Sequence, residues 1–153
     1  MPTTLKAAVI GAGSIGSTSA MRLAQFDLFD EVVLTDIVEG RAEGLALDIS
    51  QSRPIEGFQT PVRGVTTGAD GAGYDSIAGA GVVVVTAGVT RKPGMSRSDL
   101  IEVNAGIVRE VAGHIAVQAP DAVVIVVSNP LDEMTALTQA ATGFPPHRVM
   151  GQA

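Results

Sequence analysis

The sequence predicts a doubly wound α/β domain: one parallel sheet, covered by helices on both faces, with strand order 3-2-1-4-5-6. Three observations carry this. Apolar runs of strand length alternate with helical patterns along the whole chain. The runs at residues 81–85 and 122–127 are continuously apolar, as strands buried on both faces must be. A glycine-rich turn joins the first run to the first helical segment.

Element by element, residues 5–10 read as a buried strand, 11–16 as a turn and 15–26 as a helix. Residues 31–35 form a second strand. A helix over 39–50 follows, with Leu45 and Ile49 four positions apart. Residues 62–66 alternate as a weaker third strand, and 68–73 (GADGAG) form a glycine-rich loop before a short helix at 74–78. Residues 81–86 are the fourth strand. The long helix at 99–118 carries Leu100, Val103, Ile107, Val111 and Ile115 at spacings of three and four, one apolar face. A fifth strand at 122–127, a helix at 131–141 and the start of a sixth strand at 148–150 complete the pattern. The 153 residues suit one domain, with no linker and no repeat beyond the two βαβαβ halves.

Composition narrows the function. Hydrophobic residues make up 46% and mean hydropathy is +0.33, which argues against disorder. A net charge of −6 makes nucleic acid and an anionic membrane poor partners. Without cysteine there is no disulfide framework, thiolate metal site or cysteine nucleophile, which suits a cytoplasmic protein. No metal site is expected. The apolar runs are too short to span a membrane. The start, MPTTLKAAVIGAG, lacks the layout of a signal peptide.

Gly11-Ala12-Gly13-Ser14-Ile15-Gly16 is a GxGxxG between a strand and a helix, the context in which that pattern binds a dinucleotide. Gly11 permits the turn, Gly13 lets backbone approach a pyrophosphate, and Gly16 lets helix and strand pack closely. The plainer alternative is a structural βα turn. Asp36 ends the second strand, twenty positions past Gly16, where a carboxylate accepts hydrogen bonds from the adenosine ribose. It would repel a 2′-phosphate, so NAD is expected over NADP; a simple turn aspartate is the alternative. Together these features indicate a Rossmann-type domain. Ala87-Gly88 and Ser128-Asn129-Pro130 follow the fourth and fifth strands, at the sheet edge where ligands bind. Residues 91–97 (RKPGMSR) hold three cations, which suggests anion capture, although charge alone fits an exposed basic loop better.

AGVTRKPGMSR, followed by DLIEVNAGIV and VVVSNPLDEMT, closely resembles the malate dehydrogenases of the malate/lactate dehydrogenase family. The likeness runs from the GAGSIG turn to Met150-Gly151. The resemblance implies that Arg91 grips the distal carboxylate of a dicarboxylic acid. It implies that Arg97 polarises the reacting carbonyl and that Asn129 positions substrate and nicotinamide. Asn104 resembles a family asparagine near the active site. Gly11, Gly13, Ser14, Ile15, Gly16, Asp36, Ala87, Gly88, Asn104, Ser128 and Asn129 become the expected NAD contacts. The substrate would be malate or oxaloacetate, the protein a homo-oligomer joined through the helix at 39–50, and the Asn129–Pro130 peptide cis. The loop at 68–73 is longer than the family's usual connection. The resemblance also implies a His–Asp pair and a further arginine in a second, C-terminal domain that residues 1–153 do not contain. His114, beside Val111 and Ile115, and His147, after Pro145-Pro146, match no catalytic position. The chain is therefore expected to bind NAD and to be inactive, or nearly so, alone. A stand-alone NAD or ADP-ribose module without catalysis is the alternative; Arg91 argues against a lactate-type enzyme.

Overall fold

The computed structural model describes residues 5–153; residues 1–4, where the N-terminal reading begins, lie outside them. Six strands form one parallel sheet: β1 (Lys6–Ile10), β2 (Glu31–Asp36), β3 (Val62–Thr66), β4 (Val82–Val85), β5 (Val123–Val126) and β6 (Val149–Gly151). Their order is β3-β2-β1-β4-β5-β6, as expected. Four α-helices make four of the five connections: α1 (Ser14–Gln25), α2 (Arg41–Glu56), α3 (Arg97–Gln118) and α4 (Leu131–Thr142). No helix among the described residues is long and apolar enough to cross a membrane.

Successive residues of a strand face opposite sides, so an all-apolar strand feeds two cores. Ala7 and Val9 of β1 enter one core with Val32, Leu34, Ala20, Ala24, Ala42 and Phe58, beneath α1 and α2. Ala8 and Ile10 enter the other with Val83, Val85, Val108, Val111, Ile115 and Met134, beneath α3 and α4. Ile10 pairs in register with both Thr35 and Val85, and Val85 with Val126. The C-terminal ends of four strands therefore finish at one level, and their loops share one edge.

Two elements differ from expectation. Helix α2 does not stop at residue 50 but continues to Glu56 with Pro54 inside its last turn. A proline so near a helix end removes only the N–H that would have bonded the Ser50 carbonyl. The helix ends at Gly57, whose φ of 84° suits a left-handed cap and whose N–H donates to the Arg53 carbonyl at 2.8 Å. The inward face of α3 is Leu100, Asn104, Val108, Val111 and Ile115; Val103 is 43% exposed and Ile107 only partly buried. The helix is rotated so that a polar residue, Asn104, points in. It also begins at Arg97 rather than Asp99, because Ser96 and Asp99 form a capping box.

The loop at 68–73 is closed by its own backbone bonds, from the Gly71 N–H to Gly68 and from the Gly68 N–H to Ala72. It leads into a 3₁₀ turn, Tyr74–Ile77, whose Tyr74 ring stacks on His114 at 3.9 Å. His114 is thus a packing residue. His147 is exposed in the 3₁₀ turn Pro146–Arg148, before β6 and hence at the sheet edge opposite the candidate site.

Candidate functional site

The glycine turn lies where β1 meets α1. Gly11 has φ 105°, a conformation that disfavours any side chain. A Cβ on Gly16 would collide with the Gly11 carbonyl, so only glycine lets α1 start this close to β1. Gly13, Ser14 and Ile15 are exposed, and nothing lies near Gly13. No side chain caps α1, so the N–H groups of its first turn are left for an anion or water. An uncapped helix start behind an open glycine fits a pyrophosphate.

Asp36 is buried beside this turn. Its Oδ2 accepts from the Ala12 N–H at 2.7 Å and its Oδ1 from the Val38 N–H at 2.8 Å. Each oxygen keeps a lone pair for a ribose hydroxyl. Arg41, the first residue of α2, lies 3.8 Å from Oδ1. Ile15 and Ile37, apolar residues on these loops, are 59% and 76% exposed.

The loops after β4 and β5 are held together by polar contacts that the sequence did not reveal. Thr86 hydroxyl donates to the Gly11 carbonyl at 2.9 Å, tying the end of β4 to the glycine turn. Its only sequence signal is a hydroxyl closing an all-valine strand, just before Ala87-Gly88. Ser128 hydroxyl donates to the Ala87 carbonyl at 2.6 Å. Asn104, 1% exposed, commits its whole amide. Its Oδ1 accepts from the Val89 N–H at 2.8 Å, and its Nδ2 donates to the Val89 carbonyl at 3.1 Å and the Asn129 carbonyl at 2.6 Å. It reaches the crevice only through the two loops it joins. The Asn129–Pro130 peptide is cis, as the resemblance implied. The Asn129 side chain is exposed beside this junction.

The two loop arginines make different contacts. Arg91 is exposed and donates from Nε to the Met95 carbonyl at 2.9 Å, bracing its own loop. Arg97, at the start of α3, pairs with Glu133 in the first turn of α4 at 2.9 Å. The hydrogen bond from Arg97 holds the Glu133 carboxyl below its ordinary range. Among the described residues, no three His, Cys, Asp or Glu side chains are grouped to hold a metal.

Fold and site together define a dinucleotide-binding domain of the Rossmann class: a glycine turn opening a helix, a carboxylate ending the second strand and two loops at the C-terminal edge of one parallel sheet. Residues 5–151 match the profile of the lactate/malate dehydrogenase NAD-binding domain, and the chain belongs to that family as its NAD-binding domain. It is 52% identical over 148 residues to a malate dehydrogenase of Geobacter sulfurreducens, covering 97% of this chain and 44% of that protein. The apo malate dehydrogenase of Picrophilus torridus superposes with a TM-score of 0.92 at 41% identity, covering 98% of this chain and 46% of that one. A Cryptosporidium parvum lactate dehydrogenase, solved with lactic acid and nicotinamide adenine dinucleotide, superposes with a TM-score of 0.89 at 38% identity, covering 100% and 46%. The chain spans less than half the length of these relatives. The comparisons do not favour a free-standing module without catalysis.

Proposed function

We propose that this chain is the cofactor-binding half of a malate dehydrogenase, contributing to hydride transfer between malate and NAD to give oxaloacetate and NADH. One observation carries the reading: the loop bearing Arg91 is joined to the loop bearing Asn129 through Asn104, at the same sheet edge as the glycine turn and Asp36. NAD supplies the hydride acceptor when bound. Gly11, Gly13, Ser14, Ile15 and Gly16 receive the pyrophosphate, and Asp36 the adenosine ribose. Ala87, Gly88 and Ser128 line the crevice between them. Arg91 grips the distal carboxylate of the dicarboxylic acid, and Arg97 stabilises charge on the reacting oxygen. Asn129 orients substrate and nicotinamide, with Asn104 acting on it through the backbone. Lactate, with a single carboxylate, leaves Arg91 without a partner.

Removing hydride from a secondary alcohol needs a group to take the hydroxyl proton, usually a histidine. His114 is stacked under Tyr74, and His147 lies at the opposite edge. The base therefore comes from a second domain, and residues 1–153 bind NAD with little or no turnover. The loss of an acid/base group alone costs roughly 100- to 10,000-fold. The test is calorimetric titration with NAD, beside oxaloacetate-dependent NADH oxidation by the purified chain and by His114→Ala and His147→Ala. Binding without turnover is expected. Turnover near that of an intact family enzyme, abolished by either substitution, overturns the reading.

A further inference from the structure

Asp36 is not the only charge at the ribose end of the site. Arg41 opens α2 with its guanidinium 3.8 Å from Asp36 Oδ1, and the Arg41 side chain is about half exposed. At that separation it offsets the carboxylate's charge without hydrogen bonding to it. Its side chain donates no hydrogen bond among the described residues. Asp36 itself is held rigidly by Ala12 and Val38. The nearby Glu43 carboxylate is already occupied, accepting from the Thr66 N–H at 2.6 Å and the Thr66 hydroxyl at 3.0 Å. Arg41 is thus a cation with free donors beside the carboxylate assigned to the ribose hydroxyls. A guanidinium matches a phosphate in charge and in its planar fork of donors.

We propose that Arg41 is a specificity-determining residue that accepts a 2′-phosphate on the adenosine ribose. It moderates the discrimination that Asp36 imposes, so that NADP remains a weaker but usable ligand. Asp36 alone repels a 2′-phosphate; Asp36 with Arg41 presents a nearly neutral pair, with donors on one side and acceptors on the other. The NAD:NADP affinity ratio is therefore set by both residues. This inference rests on the assignment of Asp36 to the ribose.

The test is calorimetric titration of NAD and NADP into the chain and into Arg41→Gln, Arg41→Lys and Asp36→Asn, with circular dichroism to verify folding. Arg41→Gln is expected to raise the preference for NAD by about tenfold, the weight of one charge-assisted hydrogen bond to phosphate. Arg41→Lys, which keeps the charge but loses the fork, should fall between. Asp36→Asn should lower the preference. If Asp36→Asn leaves the ratio unchanged, the ribose assignment fails and this inference falls with it, whatever Arg41→Gln does. If Asp36→Asn lowers the ratio while Arg41→Gln leaves it unchanged, the ribose assignment stands and the role of Arg41 is overturned.

Discussion

Single side chains join segments that are far apart in the chain, and each such junction can be tested. Asp27, the one non-glycine residue with positive φ among those described, sits between α1 and β2. Its Oδ1 accepts from the N–H groups of Gln59 and Thr60 at 2.7 and 2.8 Å and from the Thr60 hydroxyl at 2.9 Å. The backbone bond from Thr60, then that from Gln59, holds its carboxyl below the ordinary value. A carboxyl lowered on folding contributes stability above its unfolded pKa, and that contribution is lost as pH falls through the folded one. Asp27→Asn keeps the side-chain shape and tolerates the left-handed backbone. It is expected to be less stable than the parent at neutral pH, the gap closing as pH falls below the ordinary carboxylate range. Urea midpoints across that range check it; a gap that persists in strong acid contradicts it. Asn104→Ala removes three part-buried hydrogen bonds. An ordinary hydrogen bond contributes roughly 0.5–1.5 kcal/mol net, so a fall in thermal midpoint should accompany weaker NAD binding. Unaltered NAD affinity would mean that the loop junction is not part of the site.

Elements owe their ends to local chemistry and their facing to the sheet. In α3, Ser96 accepts from the Asp99 N–H at 3.1 Å, and Asp99 accepts from the Ser96 N–H at 2.8 Å. That box starts the helix just after the arginine loop, setting the chain position at which Arg97 leaves the turn. Ser96→Ala should cost about 1 kcal/mol. It should also raise the pKa of the Asp99 carboxyl only in part, because the larger hold is the residue 96 backbone N–H, which alanine keeps, and the smaller is the Ser96 hydroxyl. Chemical denaturation, together with the carboxyl titration of Asp99 by NMR, measures both. The inward stripe of α3 buries aliphatic side chains worth roughly 1.5–3 kcal/mol each. This is enough to hold the helix in register while it spends one inward position on Asn104.

At the scale of the molecule, apolar residues remain uncovered. Leu47 and Ile55 of α2 are 57% and 89% exposed, and Phe26 and Leu28, after α1, 69% and 65%. Exposed apolar patches mark contact surfaces, while a net charge of −6 opposes association. We expect the apolar term to win and the chain to self-associate through α2. Sedimentation should show species larger than a monomer at high micromolar concentration, and Leu47→Glu with Ile55→Glu should return them to monomer. A parent chain that sediments only as monomer rules this out.

Much of this architecture was legible in one dimension. Uninterrupted valine and alanine runs admit only strands covered on both faces, and right-handed crossovers then order those strands. The places of the glycine turn and Asp36 were legible because they follow from backbone freedom and from distance along one βαβ unit. The phase of α3 was not. Val103 and Asn104 are adjacent in sequence, and apolar content alone favours the stripe containing Val103. Asn104 turns inward because Val89 and Asn129, fifteen and twenty-five positions away, have backbone groups that need partners once β4 and β5 lie side by side. The same holds for Thr86 against Gly11. Apolar periodicity is a local property of the chain. The pairing of buried polar groups is not, because their partners become neighbours only when the sheet has formed and water has been excluded from between the loops.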